Sequence, residues 1–228
     1  MASVSRTATL QEWADFVDVV YSVPNDRHYT LWDMLTNIQR FSARCIKGIR
    51  KNDTGKTDAN LLIALSWFTS LMNRLHISLD DIVWSRFPYL CSYCGERPCV
   101  CKAEKVKSRR KVAANGAMRP RTVQEYQEMF DKIYPPERRT PQDAAIHLAE
   151  EMGELTEAFH LFMSDRSDAH FREICIESAD YFSCLMGVLN SVRINCADEL
   201  AKTYSDNCPV CHAAPCSCSF KSVSEFKS

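Results

Sequence analysis

The chain has 228 residues, with 28 Lys and Arg residues against 29 Asp and Glu residues and only six glycines. This charge balance creates no global field that would attract nucleic acid or an anionic membrane, and the scarcity of glycine disfavours a fold built from many strands and tight turns. Because no apolar run approaches the ~20 residues of a membrane span and the N-terminus lacks the apolar core of a secretory signal, the sequence predicts a cytoplasmic, all-α protein with no membrane partner.

The chain consists of two similar halves. The segment TLQEW that begins at Thr9 matches TVQEY from Thr122, and apolar residues at helical spacing follow each of them. Each half ends in a C-x2-C-x4-C-x-C run, formed by Cys91, Cys94, Cys99 and Cys101 and by Cys208, Cys211, Cys216 and Cys218. The repeat predicts a helical domain at 9–101 and a second helical domain at 122–218.

The stretch 102–121 between the halves is basic and contains the breakers Asn115-Gly116 and Pro120. We interpret it as a solvated linker. A nucleic-acid-binding patch is the alternative, but it is not favoured because no aromatic residues alternate with the basic ones to stack bases.

In the second half, a first helix opens near Val123, and Thr140 followed by Pro141 is typical of a helix start. The pattern predicts a second helix from there to about Met163 and a third from about 169 to 193. A short fourth helix, near 197–204, is expected to lead into the cysteine run.

Five acidic residues stand out on these helices. Glu150, Glu151 and Glu154 share one arc of the second helix, while Glu177 and Asp180 lie on one face of a third helix that is apolar nearly all round. Buried carboxylates cost several kcal/mol each unless they are paired or bind a cation. Oxygen ligands favour Mg2+ or Mn2+. A buried salt bridge to an arginine from another helix is the structural alternative.

The pattern E-E-x-x-E, a gap of 22 residues and then E-x-x-D resembles the signature of the all-α NTP pyrophosphohydrolases, the group that includes MazG and the dimeric dUTPases. The resemblance implies that Glu151, Glu154, Glu177 and Asp180 hold Mg2+ and that a nucleoside triphosphate is cut to the monophosphate and pyrophosphate. Glu150 would be a further ligand or the general base that activates water.

The first half keeps the apolar pattern without the acids. Aligned on apolar residues, it places Asp33, Met34 and Asn37 at the positions of Glu150, Glu151 and Glu154, and Ile63 and Ser66 at those of Glu177 and Asp180. Single domains of the family that the chain resembles form dimers whose helices complete one another's clefts. The resemblance therefore implies tandem MazG-like repeats packed as an intrachain pseudo-dimer with one active cleft. Arg44, Lys47 and Arg50 either reach the substrate phosphates or form a solvated face.

The eight clustered cysteines predict two structural zinc sites. Four thiolates within eleven residues are able to surround one tetrahedral zinc ion, so each repeat would end in a small four-cysteine zinc knuckle. An iron–sulfur cluster and redox-labile thiols are the alternatives. The other four cysteines are predicted to be small core residues: Cys45, Cys175, Cys184 and Cys196.

Two functions follow from these patterns. The first is a Mg2+-dependent nucleotide pyrophosphohydrolase, an enzyme that acts on nucleoside triphosphates and could form a homo-oligomer. The second is a binding module whose zinc knuckles engage nucleic acid or a protein partner, and whose carboxylates sense nucleotides without turnover. Hydrolysis of a nucleoside triphosphate distinguishes them.

Overall fold

A computed structural model describes residues 1–225 of the chain. Within this range the protein forms ten α-helices and no strand, so the predicted all-α fold is confirmed. None of the helices in the described range is both long and apolar enough to cross a membrane.

Four helices in each half follow the same order. In the first half they are α1 (Leu10–His28), α2 (Leu31–Arg50), α3 (Thr54–Arg74) and α4 (Leu79–Arg86). In the second half they are α6 (Val123–Ile133), α7 (Pro141–Asp165), α8 (Asp168–Ser191) and α9 (Cys196–Thr203). Two short helices, α5 (Cys101–Glu104) and α10 (Phe220–Glu225), follow the cysteine runs.

Threonine caps begin the first two helices of each half. In α2, the Thr30 side chain accepts a hydrogen bond from the backbone N–H of Asp33, and the Asp33 carboxylate accepts one from the backbone N–H of Thr30. Thr140 and Asp143 form the same reciprocal pair at the start of α7. Such capping boxes satisfy backbone donors that a helix start leaves open, and they fix its first residue.

These caps set the true register between α2 and α7. Because Thr30 corresponds to Thr140, Arg40 corresponds to Glu150 and Phe41 to Glu151. The alignment predicted from apolar residues, which placed Asp33 opposite Glu150, Met34 opposite Glu151 and Asn37 opposite Glu154, is wrong by seven residues. Both helices are rich in apolar residues at similar spacing, so that pattern alone does not fix the register.

The ends of α3 and α8 set the register of the third helices. Both helices end in a left-handed residue, His76 and Arg193, whose backbone N–H bonds back into the last turn. Counting from these ends makes Asn60 the equivalent of Glu177. Ile63, rather than the predicted Ser66, is then the equivalent of Asp180. The α7–α8 hairpin is longer than the α2–α3 hairpin, since its helices have 25 and 24 residues against 20 and 21.

The chain forms two compact units that do not coincide with its two sequence repeats. Unit 1 contains 1–78 and the described residues from Asn195 onward, and unit 2 contains 79–194. The three long helices of the first half therefore pack with the fourth helix and cysteine run of the second half. In unit 2, the three long helices of the second half pack with the fourth helix and cysteine run of the first half. The exchange resembles domain swapping, here between two copies in one chain.

In unit 1, Tyr204, the residue that follows α9, supplies an aromatic contact that closes the core of α1 and α3. The Tyr204 ring lies 5.1 Å from the Trp13 ring and 5.5 Å from the Phe16 ring. Trp13 also donates from Nε1 to Thr69 Oγ1 at 2.9 Å, which satisfies its buried N–H. Trp13, Phe16 and Tyr204 are all buried, so α9 is part of the core of unit 1.

In unit 2, α4 and the residue after it take the equivalent place. The Phe87 ring meets the Phe130 ring of α6 edge to face at 5.2 Å, and Phe130 in turn meets Phe182 of α8 at 6.1 Å. Asp80 at the start of α4 accepts a hydrogen bond from the Tyr126 hydroxyl and pairs with Arg119. Buried aromatic contacts and these polar bonds hold α4 against the helices of the second half.

The basic stretch 102–121 lies wholly within unit 2. Arg110 pairs with Glu96 at 3.2 Å and with Glu104 at 3.1 Å, and its backbone N–H donates to the Tyr93 carbonyl at 2.9 Å. Arg119 bridges Asp80 and Asp81 of α4. Several of its arginines are thus engaged by carboxylates of the same unit.

The exchange predicts how fragments of the chain behave. A fragment of residues 79–194 contains all of unit 2, and we expect it to be a helical monomer. A fragment of residues 120–228 follows the sequence repeat but lacks α4, and it carries α9 without the core that buries Tyr204. It is expected to aggregate or to form a homodimer, because exposed apolar faces are covered most simply by self-association. Sedimentation velocity on both fragments tests this, and a monodisperse monomer of residues 120–228 would contradict it.

Candidate functional site

Three acidic side chains meet between α7 and α8 in unit 2. One carboxylate oxygen each from Glu151, Glu177 and Asp180 lies within 4.8 Å of the other two. Glu177 and Asp180 are three residues apart, so they share one face of α8, and Glu151 projects from α7 beside them. The distances suit three ligands of one cation, whereas three uncompensated carboxylates so close together repel one another.

Arg86 at the end of α4 pairs with one of these carboxylates. Its Nε donates to Asp180 Oδ1 at 2.9 Å, and its Nη2 donates to the other oxygen, Oδ2. Only 14% of the Arg86 side chain and 11% of the Asp180 side chain are exposed, so the pair is largely shielded from water. Burial lowers the pKa of Arg86, but the hydrogen bonds and charge of Asp180 outweigh it and hold that pKa above its ordinary value.

The salt-bridge alternative therefore explains how the charge of Asp180 is compensated, but it does not explain the burial of Glu151 and Glu177. Oε2 of Glu151 and Oε2 of Glu177 are buried and have no hydrogen-bond partner among the described residues. Burial, reinforced by the charge of Asp180, raises the pKa of Glu151 to about 8 and the pKa of Glu177 to about 7. Both shifts show that the site disfavours two further negative charges unless a proton or a cation is present.

The charges around the site leave room for a divalent cation. Glu154 lies close enough for its charge to raise the pKa of Glu151 and the pKa of Glu177. Arg109 approaches Asp180 Oδ2 at 3.9 Å and is 47% exposed, so it lies at the open side of the site. Four carboxylates against two guanidinium groups leave a formal charge of −2, which one Mg2+ or Mn2+ ion would neutralise. Oxygen donors of this kind fit either ion.

The remaining predicted acids lie outside the group of three. Glu154 is exposed, one turn beyond Glu151 on α7. Glu150 is exposed on a neighbouring arc, where His147 Nδ1 lies 3.5 Å from Glu150 Oε2. The structure thus brings together Glu151, Glu177 and Asp180 and places Glu154 beside them.

Unit 1 has no acidic group at the equivalent place. In the register fixed by the helix caps and ends, Phe41 takes the place of Glu151, Asn60 that of Glu177 and Ile63 that of Asp180. Phe41 and Asn60 are buried, at 1% exposure each. These three residues offer no carboxylate to a cation, so unit 1 cannot form the same site.

The two cysteine clusters have the dimensions of tetrahedral metal sites. In the first, Cys91 Sγ lies 3.7 Å from Cys101 Sγ and Cys94 Sγ lies 3.9 Å from Cys99 Sγ. The corresponding distances in the second are 3.8 Å and 3.7 Å. A zinc ion with Zn–S bonds of about 2.3 Å separates its sulfurs by about 3.8 Å, so both clusters fit zinc.

The same backbone turn shapes both clusters. Gly95 N–H donates to the Cys91 carbonyl at 2.9 Å, and His212 N–H donates to the Cys208 carbonyl at 2.8 Å. Both turn residues are left-handed, with φ of 72° for Gly95 and 54° for His212. Hydrogen bonding with Cys99 lowers the pKa of Cys91 and hydrogen bonding with Cys216 lowers the pKa of Cys208, while the same contacts raise the pKa of Cys99 and the pKa of Cys216. Each pair therefore favours one thiolate, the form in which cysteine binds zinc.

Each cluster is attached to the unit that receives it. The backbone N–H of Cys216 donates to the Val20 carbonyl of α1 at 2.7 Å, and the backbone N–H of Cys99 donates to the Ile133 carbonyl of α6 at 2.8 Å. The Tyr134 hydroxyl also lies 3.5 Å from Cys91 Sγ. Of the remaining cysteines, Cys45, Cys184 and Cys196 are buried, and Cys175 is half-buried.

Sequence reasoning missed the two arginines of the acidic site. Arg86 is 94 residues from Asp180 in the chain, and Arg109 belongs to the stretch interpreted as a solvated linker. The sequence did contain one signal for Arg86. The two repeats differ at this position, because the last residue of α4 is Arg86 and the last residue of α9 is Thr203. An arginine present only in the copy that pairs with the acidic helices is consistent with a role at the site.

Comparison of the chain with protein-family models, with curated proteins and with solved structures found no match.

Proposed function

We propose that unit 2 is a Mg2+-dependent pyrophosphohydrolase that cuts a nucleoside triphosphate to its monophosphate and pyrophosphate. The observation that supports this most is the pair of buried, unpartnered oxygens on Glu151 and Glu177, beside an Asp180 already paired with Arg86. A purely structural salt bridge would leave both glutamates uncompensated. The resemblance of the acidic pattern to MazG-like proteins supplies the reaction and the substrate class.

In this proposal the residues around the cation divide the work. Glu151, Glu177 and Asp180 would hold Mg2+ or Mn2+, with Glu154 as a further ligand. When bound, the ion would offset the charge of the phosphate oxygens and lower the pKa of a water molecule. Glu150 would be a further ligand or the general base; its exposed carboxylate lies 3.5 Å from His147 Nδ1.

The two arginines have different roles in the same proposal. Arg86 orients Asp180 through two hydrogen bonds, so it is a positioning residue that keeps one ligand oxygen facing its neighbours. Arg109 lies at the rim and is half-exposed, so it is free to move towards a phosphate group. The zinc knuckles take a structural part, since each is attached to a helix of its unit by a backbone hydrogen bond.

Turnover of a nucleotide panel tests the proposal. Canonical and modified nucleoside triphosphates are incubated with the full chain in Mg2+, in Mn2+ and without a divalent cation, and products are separated by ion-exchange chromatography. We expect metal-dependent formation of monophosphate and pyrophosphate in equal amounts. Release of orthophosphate and diphosphate would contradict the reaction type. Binding of nucleotides without turnover would instead favour the binding module whose carboxylates sense nucleotides.

A further inference from the structure

A basic pocket lies in unit 1 between the end of α2 and the start of α3. Its volume is about 330 Å3, within the range of small-molecule sites. The lining includes four cations, namely Arg44, Lys47, Lys51 and Lys56. Asp53, the N-cap of α3, is the acid of the lining and already accepts from the backbone N–H of Lys56 at 3.1 Å. The pocket therefore carries a formal charge of +3.

A close contact between the two helices gives the pocket a fixed shape. A Cβ atom on Gly48 would lie 2.6 Å from Thr57 Oγ1 and 2.9 Å from the Thr57 backbone nitrogen, so α3 crosses α2 where only glycine fits. The Gly48 carbonyl accepts hydrogen bonds from the backbone N–H groups of Lys51 and Asp53, both at 3.0 Å. The lysines are thus carried by a rigid turn rather than by a loose loop.

The pocket has the opposite charge to the corresponding surface of unit 2. In the register fixed by the caps and helix ends, three basic residues of the lining take the places of glutamates: Arg44 that of Glu154, Lys47 that of Glu157 and Lys56 that of Glu173. Loss of the cation site alone would leave neutral or mixed residues at these positions. Reversal at three lining positions favours a negatively charged ligand at this surface.

A second observation at the floor of the pocket also points to a ligand. Asn60 is 1% exposed and lines the pocket. Its Nδ2 donates to the Lys56 carbonyl at 2.5 Å, but its Oδ1 is buried without a partner among the described residues. Buried polar atoms in proteins are nearly always satisfied, so this oxygen is expected to accept a hydrogen bond from a water molecule whose second hydrogen donates to a bound anion. Among the pocket lysines, Lys56 pairs with Asp53 at 3.6 Å. Within residues 1–225, Lys47 and Lys51 form no ion pair.

We propose that this pocket binds a chain of phosphate groups, as found in inorganic polyphosphates and in nucleoside triphosphates, without a metal ion. Lysine ammonium groups are point charges that bind phosphate oxygens from several directions. A concave pocket about the size of a small ligand favours such an anion over an extended nucleic acid, which needs a basic stripe along a surface. The pocket is lined by residues of unit 1 alone, so the proposal stands whether or not unit 2 hydrolyses nucleotides.

Calorimetric titration of the full chain with inorganic tripolyphosphate, at low salt and without added divalent cations, tests the site. Lys47→Gln combined with Lys51→Gln should weaken binding by about 100-fold, because each of the two charge-assisted contacts is worth about a factor of ten. The matched control is Lys105→Gln combined with Lys107→Gln, which removes the same net charge from exposed positions of unit 2. Glu177→Gln should leave this binding unchanged, which separates the pocket from the acidic site.

Two further titrations identify the source of the phosphate chain. A nucleoside triphosphate that binds more tightly than tripolyphosphate would make the ligand a nucleotide, whereas equal affinity would make it the phosphate chain itself. Either result supports the site if the variant with both Lys47→Gln and Lys51→Gln loses binding of the ligand. The proposal is overturned if tripolyphosphate does not bind, if both double variants weaken it equally, or if a single-stranded oligonucleotide binds there and tripolyphosphate does not compete.

Discussion

Glu177→Gln is expected to abolish the proposed metal-dependent hydrolysis while making the metal-free protein more stable at pH 8. The expected loss of turnover is on the order of 100-fold or more, because a ligand to the charge-neutralising cation is removed. Stability should rise because the neutral amide does not repel Glu151 or Asp180. Turnover in saturating Mg2+ and thermal unfolding in metal-free buffer measure the two effects.

The stability gain should depend on pH in a defined direction. The pKa of Glu177 is raised by burial from its ordinary value of 4.5 to about 7 in the folded protein. Between these values the folded state binds more protons than the unfolded state, so the free energy of unfolding contributed by Glu177 falls as pH rises. Glutamine lacks this dependence. The variant and the wild type should therefore have similar Tm values near pH 4 and diverge towards pH 8.

Two control variants separate this effect from general changes in charge. Glu157→Gln removes the same charge from an exposed position of α7 and should change neither turnover nor the pH profile. Asp180→Asn should destabilise the protein, because it leaves the largely buried Arg86 without its carboxylate. An equal loss of stability in Glu177→Gln and Asp180→Asn would show that Glu177 is part of a structural ion pair rather than a metal site.

Cys208→Ser is expected to loosen helices of the opposite sequence half. The substitution removes one of the four predicted zinc ligands, and ligation energy is folding energy for so small a loop. Because Cys216 is bonded to Val20 and Tyr204 packs on Trp13, the change should increase amide hydrogen exchange in α1. The zinc content measured by metal analysis should fall from two ions per chain to about one. Hydrogen exchange resolved by peptide measures where the loosening occurs.

The equivalent substitution in the first cluster and a substitution of a cysteine outside both clusters serve as controls. Cys91→Ser should increase exchange in α6 and leave α1 protected, since the first cluster bonds to Ile133. Cys175→Ser changes a half-buried cysteine outside both clusters and should leave the zinc content unchanged. Increased exchange in α6 after Cys208→Ser would contradict the exchange of fourth helices between the halves.

Local signals in the sequence were sufficient for the helices of the second half and for the shape of the cysteine clusters. Thr140 followed by Pro141 predicted the start of α7 at the residue where it begins. The contrast between the apolar face of α8 and its acids, Glu177 and Asp180, predicted a buried acidic group. These features depend on residues close together in the chain, whose spacing fixes which side chains share a helix face.

The exchange of fourth helices and the partner of Asp180 could not be predicted in the same way. The links that lead into α4 and α9 are alike, with left-handed His76 and Arg193 at corresponding places. Local sequence therefore does not specify which core each short helix joins. That choice depends on contacts between residues far apart in the sequence, such as Arg86 and Asp180. The energy of such a contact can be assessed only once the positions of both residues in the fold are known. The intrachain pseudo-dimer and the MazG-like family stay predictions.

The exchange also determines the order in which the chain can fold during synthesis. Unit 2 is one continuous segment, Leu79–Ile194, so all of its parts are available as soon as that segment has left the ribosome. Unit 1 begins earlier but lacks α9 until after Asn195 has been made. At about 5–20 residues per second, its first three helices wait roughly ten seconds with part of their core open. The unit that starts second is the first to be completed, and the N-terminal helices are the segment most exposed to chaperones in that interval.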